Sequence, residues 1–263
     1  MIRPSVAAAL VLLCGLAACG DDDDASGSGT TGSRITLHTT ASSPTARTQL
    51  TTSFGWNVEL TKAAVAASGF YYFDGPPPTA FFQRKPSLRD RFQGLFIGTA
   101  HAHPGHYQAG NALGQAQFAA PTTLDLFASP VATLSDAAAL TGTYRSARVI
   151  LGTGADGHVA TVEGKAVKKD GSSTQPIFFR LVADTADVAV SVQNGAVDGC
   201  VLDEAVVTAE GSVNIEVKPT VWLNLVDFSK IAPGTATAPT ETKDAGFSQG
   251  VTQLSAYRFT YTK

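Results

Sequence analysis

The sequence predicts an all-β protein, an antiparallel β-sandwich with a partly closed barrel as the alternative, and two long loops. Three observations carry that prediction: many short apolar-alternating runs, turn dipeptides between them, and the lack of any long segment with a helical period. Arg34 to Thr40 alternates, with Ile35 and Leu37 on one face and Thr36 and His38 on the other. Val58 to Phe73 reads as two strands or one bent strand, a helical turn in KAAVAASGF being the alternative. Further strands are expected at Phe92–Ile97, Thr122–Phe127, Tyr144–Leu151, His158–Val167, Ile177–Val182 and Val188–Val192. Val213–Val217, Val221–Val226 and Leu254–Tyr261 complete the set, and Ser135 to Leu140 reads as a helical turn capped by Ser135. Asp74-Gly75, Asp156-Gly157, Asp170-Gly171, Asn194-Gly195 and Glu210-Gly211 supply the positive φ angles of tight hairpins. Regular strand spacing of this kind belongs to sandwiches and barrels. The two long loops are Gly75–Arg91, with its Pro76-Pro77-Pro78 run, and Ser229–Gly250, rich in Thr, Ala and Pro.

Ahead of the strands, the first 18 residues read as a signal peptide: Arg3, then an apolar run from Val6 to Leu16 too short to span a bilayer as a helix. Leu16-Ala17-Ala18-Cys19 resembles the lipobox of bacterial lipoproteins, which implies cleavage before Cys19, lipid on its sulfur and an acylated amino terminus. Two or three acyl chains anchor a protein stably, where one does not. Gly20 after the cysteine favours an outer-membrane lipoprotein facing the periplasm; the inner membrane and the cell surface are the alternatives. Residues 19–33 continue as an acidic and Gly/Ser tether, with no large apolar side chain to offset the entropy of ordering it. A single β-sandwich domain over residues 34–263 follows. With Arg3 removed, 18 basic and 22 acidic residues remain; four of the acids are Asp21 to Asp24, so the domain is near neutral and carries no basic footprint for nucleic acid.

Of three cysteines, Cys14 leaves with the signal, Cys19 carries lipid, and Cys200 is left without an intramolecular partner. A buried, inert thiol is expected there, with a soft metal ligand or an intermolecular bridge as alternatives. The one methionine is Met1, so a thioether site for Cu(I) is excluded. No GxSxG elbow or Walker loop occurs, and a GxGxxG follows an expected strand only at Gly152–Gly157. Gly152–Gly157 is explained by an Asp-Gly hairpin, and Asp203-Glu204 by a solvated strand end.

One stretch points to chemistry. AHAHPGHY, residues 100–107, holds three of the five histidines, His101, His103 and His106. His101 and His103 share a strand face. Pro104-Gly105 suits the centre of a type II turn, which sets the His103 and His106 Cα atoms within about 7 Å. Neutral imidazoles gathered so suit Cu(II), Zn(II) or Ni(II). Tyr107 is placed to give an outer-shell hydrogen bond or an oxygen ligand, and His38 or His158 could complete the sphere. The plainer alternative has His101 and His103 on a wet strand face and His106 as a polar turn residue. A water in an open coordination position would make the same histidines a catalytic metal centre.

Trp56 in GWNVELTKAAVA and Trp222 in VWLNLVDFSKI are the only tryptophans, expected in the core or at a sheet edge. Those two stretches, in about a quarter of the chain, resemble segments of the methanobactin-associated periplasmic copper-binding proteins; the chain as a whole looks like bacterial lipoproteins of uncharacterised role. The resemblance implies a β-sandwich and a copper site combining histidines with a tryptophan that a di-haem redox partner oxidises to kynurenine. Trp56 and Trp222 match by residue type, and the His-Pro-Gly-His octapeptide is no part of that pattern. The reading is therefore a lipid-anchored periplasmic protein that captures or hands over a transition metal, copper before zinc, with a periplasmic redox or metal-handling partner. Its alternative is a non-catalytic binding or structural lipoprotein whose long loops hold a protein or glycan.

Overall fold

A computed structural model describes residues 32–43, 50–77, 110–128, 132–171 and 175–263. The leader with Cys19, the octapeptide with His101, His103, His106 and Tyr107, and the expected strand Phe92–Ile97 lie outside the described residues, as does the Gly75–Arg91 loop beyond Pro77. All described residues belong to one compact unit of residues 31–263.

The architecture is all-β and sandwich-like, and it is organised by one strand. β3 (Trp56–Phe73) runs continuously for 18 residues, the single bent strand of the two expected alternatives. Register shifts between Leu60 and Lys62 and between Ala67 and Gly69 bend it without breaking it. Its C-terminal half belongs to a ring. β3 pairs with β4 (Ala112–Asp125), β4 with β6 (Ala137–Leu140), and β6 with β1 (Arg34–Ser42). β1 then pairs with β11 (Gly211–Val217), β11 with β13 (Tyr257–Thr262), β13 with β10 (Ala196–Val207) and β10 with β7 (Gly142–Leu151). β7 returns to β3 and closes the circuit. The interior is filled by Phe70, Tyr72, Tyr144 and Phe259, stacked edge-on or tilted with centroids 6.0–6.2 Å apart. The N-terminal half of β3 carries a side sheet: β8 (Ala160–Lys168), β9 (Ile177–Ala183) and edge strand β12 (Thr240–Lys243) on one side, and the short β2 (Leu50–Thr51) on the other. β5 (Ala132–Thr133) lies against β1.

Pairing is mainly antiparallel, but β1–β11, β10–β13 and β9–β12 are parallel, so the sheet is mixed. Two expected hairpins are corrected by the same connectivity. β7 and β8, joined through Asp156-Gly157, lie end to end along one edge of β3 instead of pairing. β10 and β11, joined through Glu210-Gly211, have β13 between them. Asp170-Gly171 does join a paired hairpin, β8 and β9.

Helices replace two expected strands. Val221–Val226 gives way to α2 (Pro219–Leu223), where Pro219 opens the first turn and Trp222, Leu223 and Val226 are buried while Asn224 is exposed. Val188–Val192 gives way to α1 (Thr185–Ala189), whose start is fixed by a capping box between Asp184 and Asp187. The helical turn expected at Ser135–Leu140 is strand β6, held between β1 and β4. The Ser229–Gly250 loop contains β12 and most of α3 (Ala245–Val251), which Asp244 caps by accepting from the Phe247 N–H at 2.9 Å. α2 and α3 cover the side sheet: Trp222 meets Phe247 edge-on, and Phe228 sits 4.7 Å from Phe179 and 5.8 Å from Trp56.

Candidate functional site

The histidine octapeptide belongs to the connection between β3 and β4, and the structure shows what holds the two ends of that connection. Phe73 and Ala112 are the last paired residues. Beyond them Asp74 accepts from the Asn111 backbone N–H at 2.7 Å and from its side-chain amide at 2.9 Å, while the Asp74 N–H donates to the Asn111 carbonyl. Gly110, at φ +79°, lies so close that a Cβ would overlap the Asp74 carboxylate. Ser146 of β7 donates to the Gly75 carbonyl at 2.7 Å and Arg145 to the Asp74 carbonyl at 3.4 Å. The connection is thus clamped at both ends to the ring.

His38 and His158, the two remaining histidines, are not neighbours. His38, exposed on β1, places Nδ1 2.9 Å from Asp136. His158, mostly buried between β7 and β8, places Nδ1 2.6 Å from Asp184 and Nε2 3.6 Å from Glu241. Around it sits an ionic network that no local sequence pattern announces. Lys243 contacts Asp184 and, at 3.2 Å, Asp187; Arg180 reaches Glu241 at 3.3 Å and Glu163 at 3.1 Å. Hydrogen bonds from His158 and Lys243 hold the Asp184 carboxyl below its ordinary range. Burial pushes Asp156 upward, but bonds from the His158 N–H and the Thr161 hydroxyl outweigh it, and the net shift is down. Each of these carboxylates is already engaged by a cation or a hydrogen-bond donor, and among the described residues no group of three or more His, Cys, Asp or Glu side chains could hold a metal ion. The Asp184-x-x-Asp187 spacing was the only visible trace of the network, as a helix start.

Trp56 and Trp222 are core residues, 3% and 0% exposed, and the indole N–H of each is buried without a hydrogen-bond partner among the described residues. They belong to separate aromatic contacts, Trp56 with Phe228 and with Lys168 Nζ 4.8 Å from its ring centroid, Trp222 with Phe247. Cys200 is fully buried on β10, its thiol donating to the Val197 carbonyl at 3.4 Å, and burial raises its pKa far above the ordinary thiol value. That is the chemistry of an inert thiol. Asp203 forms a forked pair with Arg258 at 2.9–3.1 Å, and Glu204 meets Arg145 at 3.4 Å, so the acidic pair beside Cys200 serves strand-surface ion pairing. Asp227 accepts from both the backbone N–H and the hydroxyl of Ser229, capping a turn.

No helix among the described residues is long and apolar enough to cross a membrane. No family model, curated protein or solved structure matches this chain.

Proposed function

We propose that this protein is a lipid-anchored, periplasm-facing lipoprotein, attached through Cys19, that binds a transition metal, copper before zinc, through His101, His103 and His106. Its role is capture or handover of the ion to a periplasmic redox or metal-handling partner, not turnover. The observation that carries the reading is the sequence itself: three of five histidines within six residues around Pro104-Gly105. The clamp of Asp74 on Asn111 supports it, because binding loops work best when a rigid scaffold holds their ends. His38 and His158, each engaged by a carboxylate elsewhere in the fold, leave the octapeptide as the site's centre. Calorimetric titration of the soluble domain with Cu(II) and Zn(II), beside a variant with alanine at all three positions, tests the proposal. Stoichiometric uptake lost in the variant is the expected result; equal uptake by both proteins overturns it.

A second reading, a non-catalytic lipoprotein that holds a protein or glycan, is favoured by the exposure of residues 232–243, rich in Thr, Ala and Pro, at the rim of the side sheet. It predicts a melting temperature indifferent to metal, whereas a physiological site raises it by linkage.

A further inference from the structure

Residues 232–243 leave the core at Ile231 and return to it at Phe247, both buried, and contribute no buried apolar side chain between them. Yet they include a strand. β12 pairs through Thr240–Lys243 with Phe179–Val182 of β9, and its other edge is unpaired among the described residues. One further bridge, the Gly234 N–H to the Phe178 carbonyl at 3.0 Å, fixes the start of the segment. Among the described residues, the side-chain bonds that join it to the rest of the domain are ionic: Glu241 on Arg180 and His158, and Lys243 on Asp184 and Asp187. The two ends are firm, a turn capped by Asp227 before Ile231 and α3 capped by Asp244. Hydrophobic burial dominates the stability of folded elements, so a strand without any, attached between rigid posts, is a weakly held cooperative unit.

We infer that residues 232–243 are a strap that detaches as a unit while the domain stays folded, with its closure set by the charges of Glu241 and Lys243. When it opens, the outer edge of β9 and the Nε2 side of His158 are uncovered; when it closes, both are sealed. The control is electrostatic, because the carboxylate and ammonium partners are half-exposed and within reach of screening by salt. This inference is independent of metal binding by the octapeptide.

Amide hydrogen exchange on the full chain, at low salt and at about 0.5 M NaCl, tests it. Protection of Thr240–Lys243 is expected to lie at least ~100-fold below that of β8, the interior neighbour of β9. High salt lowers strap protection by about fivefold and leaves β8 unchanged. The double variant E241Q/K243Q, altered only at the surface, shows that lowered protection already at low salt and no longer responds to salt. Equal protection of strap and β8 amides, or a salt response undiminished in the variant, overturns the inference.

Discussion

Four acids lie inside this core, and together they predict how it fails at alkaline pH. Tyr72, Tyr144, Tyr257 and Cys200 are buried, and burial raises the pKa of each; Tyr144 is pushed up to about 12, and the other three rise as well. In the unfolded chain the thiol titrates near 9.0 and the phenols near 10.0. Above those values the unfolded state sheds protons that the native state keeps, so stability falls as pH rises, by ~1.4 kcal/mol per pH unit for each such proton. At pH 11 the thiol contributes a loss of about 3 kcal/mol and the three phenols about 4 kcal/mol, together about 7 kcal/mol. Native domains hold about 5–15 kcal/mol in all, so the protein is expected to keep most of its stability through about pH 9 and to lose about half of it or more by pH 11. Urea denaturation at about pH 7, 9, 10 and 11 measures this, with Cys200→Ala as the control. The variant removes one titrating group and recovers about 2 kcal/mol of the pH 9–11 decline, whatever its constant packing cost. A decline smaller than one proton's worth, ~1.4 kcal/mol, between pH 10 and 11 would refute the reasoning, since it would mean the phenols ionise in place.

At the acid end the direction reverses. Asp184, held low by His158 and Lys243, contributes stability that is complete above its unfolded value of 3.8 and is lost as pH falls through its lower native value. Asp184→Asn should cost about 1–2 kcal/mol at neutral pH and flatten the decline below pH 4 seen in acid-titrated urea curves. Gly164→Ala tests the bulge of β3, because its Cβ would overlap the Glu59 carbonyl oxygen opposite, well inside the 3.0 Å that real Cβ contacts respect. A loss of about 1–3 kcal/mol in thermal or urea unfolding is expected, and an unchanged midpoint would show that the bulge relaxes freely.

The strands that could be read in the sequence are those whose alternation maps onto one solvated and one buried face: β1, β7, β9 and β11 fall where the pattern puts them. The misreadings share a cause. VWLNLV alternates as well as any strand, but Trp222, Leu223 and Val226 are buried in a helical spacing that a six-residue window cannot separate from period two. Pro219 and the Asp184–Asp187 capping box were the local signals that would have decided both helices. β10 was hidden for a different reason: Gly199 at φ +76° and the register shifts before Cys200 and before Ala205 break its alternation. Of the candidate site, the octapeptide stands out in the sequence because three histidines within six residues need no tertiary structure to be noticed. The network around His158 was not, because Asp184, Arg180, Glu241 and Lys243 come together only through the parallel pairing of β9 with β12 and the packing of α1.

The middle of β3 explains how one strand serves two structures. Ala63 to Ala67 is buried on both faces, which an ordinary half-solvated strand never is. Here β7 stops and β8 begins on the same edge, and the connection between them folds back onto the strand: the Gly152 N–H donates to the Ala66 carbonyl, and the Ala66 N–H to the Val159 carbonyl. A Cβ on Gly154 would lie 3.2 Å from the Ala66 Cβ, so there is room for a methyl group at position 66 and little more. The run of alanines that blurred the strand reading, KAAVAA, is therefore the feature that lets β3 pass from the side sheet into the ring without a break. Its consequence for function is geometric. The end of β3 that leads to Asp74 is continuous with a strand buried over most of its length, so the clamp from which the histidine-bearing connection departs is fixed to a deeply buried element of the domain.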